Sequence, residues 1–235
     1  MNEWLSRSAL LLGTEGLERL AAARVAVAGM GGVGSFAVEA LARGGIGRLL
    51  LIDHDKAASS NINRQLHADT GTVGQPKVAL MARRVADINP HALAEAREAF
   101  LLPDNVSGLL DGPLDYIIDA VDTVSAKLSL AEEAQRRGVP IISCMGTGNK
   151  LDPTRFRVGD IYETSMCPLC RVMRQELRQR GIEALQVVYS TESPRMPPPD
   201  PALRRQVPGS VSFVPPVAGM IAAGVVIRGI AGISL

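Results

Sequence analysis
Polar and apolar positions along the first 150 residues switch repeatedly between two periods. Residues 25–28, 49–52, 115–119 and 140–144 are short, nearly continuous apolar runs bounded by Gly, Pro or Asp. Runs of that length predict strands buried on both faces. Between them, apolar residues recur at helical spacing, which predicts helices over residues 8–22, 35–43, 76–89 and 123–137. Pro76 opens one of these, Asn89-Pro90 closes it, and Thr123 caps the next. Residues 94–99 carry a fainter strand pattern. Strands alternating with helices predict an α/β fold, a Rossmann-like, mostly parallel sheet with helices on both faces. Ligands of such sheets lie beyond the C-terminal strand ends, where Asp53, Asp119, Asp122 and Cys144 fall.

Past Gly148 the rhythm changes. Residues 155–161 predict an exposed strand, 167–180 a helix and 187–189 a short strand. Residues 193–209 hold Pro194, Pro197, Pro198, Pro199, Pro201 and Pro208, the composition of a mobile loop. Residues 217–235 are almost wholly apolar, but Arg228 and four glycines interrupt them. We read them as a buried helix on the sheet or at a subunit interface rather than a membrane anchor. The chain reads as a single domain, with a nucleotide-binding core over residues 1–150 and a substrate and dimer elaboration over 151–235.

Composition narrows the picture. The chain has 235 residues, enough for one sizeable core. Hydrophobic residues make up 46 % of it and aromatics only 3 %, so that core packs through aliphatic side chains. A net charge of +1 excludes a polycation, and nucleic acid would have to be met by a local patch. Three cysteines are too few for a disulfide framework and point to a reducing, cytoplasmic setting. Residues 1–7 lack the layout of a signal peptide.

The chemistry concentrates after the first strand. Gly29-Met30-Gly31-Gly32-Val33-Gly34 joins strand to helix, and Asp53 ends the following strand. Glycines let backbone approach a phosphate, a helix N-terminus attracts the anion, and the acid is placed to bind a ribose. Asn61, Arg64 and Lys77 follow on segments leading from Asp53. One such cation is usually surface charge. Two beside a ribose site favour a triphosphate over a nicotinamide. Asp122 is a candidate magnesium ligand, while Asp119 or Asp122 could instead cap the next helix. Cys167-Pro168-Leu169-Cys170 has metal-knuckle spacing, but zinc needs four ligands and no zinc is expected. A thiol at a helix start is acidified, which makes Cys167 a candidate reactive thiol. Arg171, Arg174 and Arg178 share a helix face, either solvated and paired with Glu176 and Glu183 or a phosphate-contacting ridge.

The glycine turn, Asp53-His54-Asp55, the run Asn61-Ile62-Asn63-Arg64-Gln65, Lys77 and Asp119-Ala120-Val121-Asp122 together resemble the ubiquitin-activating-enzyme-like adenylating superfamily. Within it, Asn63 to Ala68, Asp152-Pro153-Thr154 and Tyr189-Ser190-Thr191-Glu192 resemble the tRNA threonylcarbamoyladenosine dehydratases. The resemblance implies ATP and magnesium as cofactors, tRNA as substrate and a homodimer in which Arg7 reaches the neighbouring subunit's ATP. It implies Arg64, Lys77, Asp122 and Arg7 as the catalytic set. Nucleotide contacts would come from Gly29, Gly31, Gly32, Gly34, Asp53, Asp55, Asn61, Gln65 and Asp119. The implied reaction adenylates the substrate carboxylate and then closes a ring with loss of water. Two other readings stand beside it. One is an adenylyltransferase for a ubiquitin-like sulfur carrier, with a sulfur-transfer protein as partner. Its relatives carry two Cys-x-x-Cys pairs, and this chain has one. The other is a nicotinamide dehydrogenase, disfavoured by Arg64, Lys77 and Asp122.

Overall fold
The computed structural model describes residues 3–195 and 208–233. A 3-10 turn, Glu3–Leu5, leads into α1 (Ser6–Ala22), β1 (Arg24–Ala28), α2 (Gly34–Arg43) and β2 (Arg48–Asp53). Next come α3 (Lys77–Ile88), β3 (Leu93–Glu98), the one-turn α4 (Val106–Leu109), β4 (Tyr116–Asp119), α5 (Val124–Arg137) and β5 (Ile141–Cys144). The C-terminal part adds β6 (Phe156–Asp160), α6 (Pro168–Gln179), β7 (Gln186–Ser190) and α7 (Val214–Ala231).

One seven-stranded sheet runs in the order β3-β2-β1-β4-β5-β7-β6. Every neighbouring pair is parallel except β7 with β6, an antiparallel edge. The alternation of side chains along each strand sorts the core into two layers. Val25, Val27, Leu49 and Leu51 meet α1, α2, α3 and α7 on one face. Ala26, Ala28, Leu50 and Ile52 meet α4 and α5 on the other. Farther along that second face, α6 packs on α5 and β7 through Cys170, Met173, Leu177 and Val187.

Two helices differ from their sequence pattern. The predicted first helix is broken at Gly13, whose φ of 71° and ψ of 164° leave the helical region. Beyond the break Leu17 and Leu20 are buried, while Leu10 and Leu11 before it are 85 % and 84 % exposed. Just ahead, Trp4 is exposed and Leu5 packs toward Gly45. The last helix starts earlier than its apolar run, at Val214, because prolines suit a first helical turn. It is long and apolar enough to cross a membrane, with a mean hydropathy of 1.7, yet half of it is buried inside the protein. Gly219 allows this: a Cβ there would lie 2.2 Å from the Val33 carbonyl oxygen, so only glycine lets α7 press on the start of α2. Of the Pro-rich stretch, residues 196–207 lie outside the described residues.

The arginine face of α6 is neither a free ridge nor paired as the sequence suggested. Arg174 donates to the Thr164 carbonyl and hydroxyl oxygens, and Arg178 stacks 5.1 Å over the Tyr162 ring. Glu176 is taken instead by Arg180. Only Arg171 of the three has no such engagement among the described residues, and it is exposed.

Candidate active site
The connections from β1 to β2 and from β3 to β4 leave in opposite directions across the sheet, so a crevice opens between the ends of β1 and β4. It encloses about 420 Å³, room for a nucleotide-sized ligand. Its walls carry Gly29, Gly31, Gly32, Asp53, Asp55, Asn61, Arg64, Gln65, Lys77 and Asp122. Ten residues drawn from positions 29 to 122 are thereby brought to one place.

The four motif glycines do different work. Gly29 has φ of 90°, and a Cβ there would lie 2.6 Å from the Ala120 oxygen. At Gly34 it would lie 1.7 Å from the Gly29 oxygen. Those two are demanded by the chain itself, and Gly34 does not line the crevice. Gly31 faces open space, so its backbone is free to meet a ligand. Ser35 holds the turn in place. Its hydroxyl donates to the Gly31 oxygen at 2.7 Å and accepts from the Leu66 amide at 3.3 Å, tying the turn to the segment that bears Arg64.

Asp53 accepts the Met30 amide on one oxygen and the Asp55 amide on the other. The carboxylate is thus locked against the glycine turn, with lone pairs left toward the crevice. Lys77 is 4 % exposed, and its ammonium donates to Asp55 at 2.8 Å. Burial raises the Asp55 carboxyl, but the hydrogen bond and charge of Lys77 outweigh it and hold the group below its ordinary value. Asp55 therefore orients Lys77. Arg64 donates to the Ser60 oxygen and Asn63 Oδ1, both neutral acceptors, and no carboxylate pairs with it among the described residues. Asn61 accepts the Ala58 amide and closes the turn leading to Arg64. On the other wall the His54 and Phe100 rings pack in a tilted pair, centroids 4.3 Å apart and planes at 59°.

Asp119 does not reach the crevice. It is fully buried, accepting from Lys127 at 3.0 Å, from the Ser143 hydroxyl and from the Val121 amide. Lys127 also donates to the Cys144 oxygen at 2.7 Å. This group clamps β4, β5 and α5 beneath the site, which corrects the reading of Asp119 as a nucleotide contact. Asp122 is exposed at the rim, and neither it nor Thr123 caps α5 through its side chain. A single rim carboxylate suits magnesium, which keeps waters and takes its other ligands from phosphate. A tighter trio, Asp53, His54 and Asp55, has donor atoms within 4.8 Å of one another.

The motifs of the far loops meet as well. Glu192 accepts the Leu151 and Asp152 amides at 3.0 and 2.9 Å, and Asp152 accepts the Thr154 amide. Thr147 and Gly148, just before this clasp, line the crevice. Lys127 escaped the sequence reading. Its signal was a lysine between Ala126 and Leu128, one turn from Leu130 and Ala131 on the apolar face of a helix. Cys144 ends β5 with its thiol pushed up to about 12 by burial. Arg7 is exposed on α1.

The ThiF family matches residues 5–234 of the chain. The tRNA threonylcarbamoyladenosine dehydratase of Bacillus subtilis (strain 168) is 47 % identical, over 94 % of this chain and 92 % of its own length. The enzyme of the same name from Escherichia coli (strain K12) is 38 % identical over 79 % of this chain and 72 % of its own. The crystal structure of the E. coli enzyme TcdA in complex with ATP superposes with a TM-score of 0.89 at 33 % identity, covering 97 % of this chain and 93 % of that one. The molybdopterin-synthase adenylyltransferase of Salmonella typhimurium (strain LT2) is 42 % identical, but over only 55 % of this chain. With nearly its whole length matched, the chain belongs to the ThiF family.

Proposed function
We propose that this protein adenylates the carboxylate of threonylcarbamoyladenosine in tRNA at the expense of ATP and then closes it into a ring. The observation that carries the reading is the meeting of the glycine turn, Asp53, Arg64 and Lys77 in one switch-point crevice, in a chain 47 % identical over nearly its full length to a protein of that name. Asp53 holds the ribose, and the backbone at Gly29, Gly31 and Gly32 takes the phosphates. The substrate carboxylate attacks the α-phosphorus and pyrophosphate leaves. Arg64 and the Asp55-oriented Lys77 neutralise charge that builds on the leaving oxygens, in a site where fixed cations need no rearrangement. The carbamoyl group then attacks the activated carbonyl and gives up a proton, and AMP departs with the former carboxylate oxygen. The ring closure is intramolecular and gains from proximity. Asp122 would hold a magnesium ion, which when bound supplies further neutralisation of phosphate oxygens. Arg7 belongs to the neighbouring subunit's site in a homodimer. The setting is the cytoplasm, without a membrane, and zinc has no part.

Purified protein with ATP, magnesium and threonylcarbamoyl-modified tRNA will give a nucleoside lighter by one water and an equivalent of AMP. Adenylation of a small protein ending in Gly-Gly, with the tRNA unchanged, would move the assignment to sulfur-carrier activation and a sulfur-transfer partner. The partial match to the Salmonella adenylyltransferase is the observation that favours that second reading.

A further inference from the structure
Lys77 is aimed by Asp55. Arg64 needs an equivalent, because a long side chain loses rotamer freedom when its guanidinium is fixed. Among the described residues its one side-chain partner is Asn63, whose Oδ1 accepts from Arg64 Nη1 at 2.8 Å. The other end of that amide is held as well. Asn63 Nδ2 donates to the Ser210 carbonyl at 3.0 Å, across 147 positions of the chain. Chemistry sets which way the amide points, since a guanidinium only donates and a carbonyl only accepts. Ser210 is in turn seated by Asn149. Asn149 Oδ1 accepts the Gly209 amide at 2.7 Å, and the Asn149 amide donates to the Gly209 carbonyl at 2.8 Å. Asn149 has φ of 60°, in the left-handed region that asparagine tolerates better than most residues. Beside it Gly148 lets the returning chain close in: a Cβ there would lie 2.9 Å from Pro208 Cβ. Arg64, Gly148, Pro208 and Ser210 all line the crevice.

We infer that Asn63 and Asn149 are positioning residues for the adenylation step, acting on Arg64 through one hydrogen-bonded chain that runs from Asn149 through Gly209, Ser210 and Asn63 to the guanidinium. The inference rests on the proposed role of Arg64 in neutralising the leaving pyrophosphate. An amide suits this post where a carboxylate would not. Aspartate in place of Asn63 would still accept from the guanidinium, but it would compensate the charge that the transition state draws on. The amide fixes direction and keeps the cation whole. The chain also links segments far apart in sequence. The turn bearing Arg64 follows β2, whereas Asn149 follows β5 and Ser210 precedes α7. How the C-terminal segments seat themselves is thereby transmitted to the side chain that meets the phosphates.

The experiment compares full-length variants by turnover with ATP and threonylcarbamoyl-modified tRNA, and by hydrogen–deuterium exchange with neither present. Asn63→Ala should lower kcat by about 10-fold, the worth of one hydrogen bond to a charged group. The KM for ATP should change little, because the charge that Arg64 meets develops in the transition state. In an Arg64→Ala background the same change should cost nothing further, and an equal fall there would reveal a purely structural role and overturn the inference. Asn149→Asp keeps an acceptor for the Gly209 amide and tolerates the left-handed backbone, so it should turn over as the parent does. Asn149→Gly relaxes the backbone but removes the acceptor, and should lose several-fold in kcat. Equal behaviour of these two variants would defeat the part given to Asn149. Exchange tests the chain of bonds apart from the reaction. Asn149→Gly should raise deuterium uptake in peptides covering Gly209 and also in those covering residues 60–65. Faster exchange confined to Gly209 would sever the link to Arg64. A parent that leaves the tRNA unchanged, or an Arg64→Ala variant as active as the parent, would count against the adenylation assignment, leaving exchange to judge the chain of bonds.

Discussion

At the scale of single residues, Lys77 and His67 separate chemistry from its support. Lys77 is nearly buried, and its only ionic partner among the described residues is Asp55. Lys77→Ala should lower ATP consumption by about 100-fold or more while the circular dichroism spectrum is retained, since one preplaced cation at a developing charge is worth that much. His67 lies close by, and neither of its ring nitrogens has a protein partner among the described residues. Burial, with the charge of Lys77 added, lowers its pKa to about 4 from 6.5. The unfolded chain therefore binds the proton first. Stability is complete above pH 6.5 and falls as the pH drops from 6.5 toward 4, by up to about 3 kcal/mol. His67→Asn should remove that slope in urea midpoints measured across the window, and an unchanged slope would show that His67 is not its source. The glycine turn was legible because a backbone demand is written in residue identity: Gly29 tolerates no other side chain. The tie between Asp55 and Lys77 was not, because a cation read from sequence comes without its partner.

Among elements, the clamp of Lys127, Asp119 and Ser143 decides how firmly β4, β5 and α5 hold the crevice floor. Both charges are about 1 % exposed, so removing one strands the other in the interior. Lys127→Ala should cost about 3–5 kcal/mol in urea unfolding, and Lys127→Met combined with Asp119→Leu should cost less than the single change. Equal losses would deny that the pair acts as a unit. Elements with a strong period, such as residues 76–89 and 123–137, stand within a residue or two of their predicted bounds. The order of the C-terminal strands was beyond reading, because the sequence does not say that β7 slips in between β5 and β6. The arginine face of α6 misled for a related reason. Local spacing cannot reveal that Arg174 is needed by the carbonyl of Thr164 or Arg178 by the ring of Tyr162.

For the whole molecule, the proposed homodimer needs an apolar surface that a second copy would cover. Leu10 and Leu11 stand out from α1, while Phe213 and Met220 are 48 % and 44 % exposed at α7. Side chains of this kind favour burial between subunits. Light scattering at micromolar concentration should return twice the mass of one chain. Arg7→Ala and Lys77→Ala should each be nearly inactive alone. Mixed and allowed to exchange subunits, they should regain activity, because one site of the hybrid then has its own Lys77 and its neighbour's Arg7. Mixing without recovery would confine Arg7 to its own subunit or remove it from the site.

The aliphatic core has an optical corollary. The chain's single tryptophan, Trp4, lies outside that core on the turn ahead of α1, 42 % exposed. Its emission is therefore nearly blind to melting of the sheet and responds to whatever settles over the N-terminal turn. Circular dichroism follows the fold and tryptophan emission follows that surface, so a dilution series read by both methods gives association and folding as two separate curves from unlabelled protein.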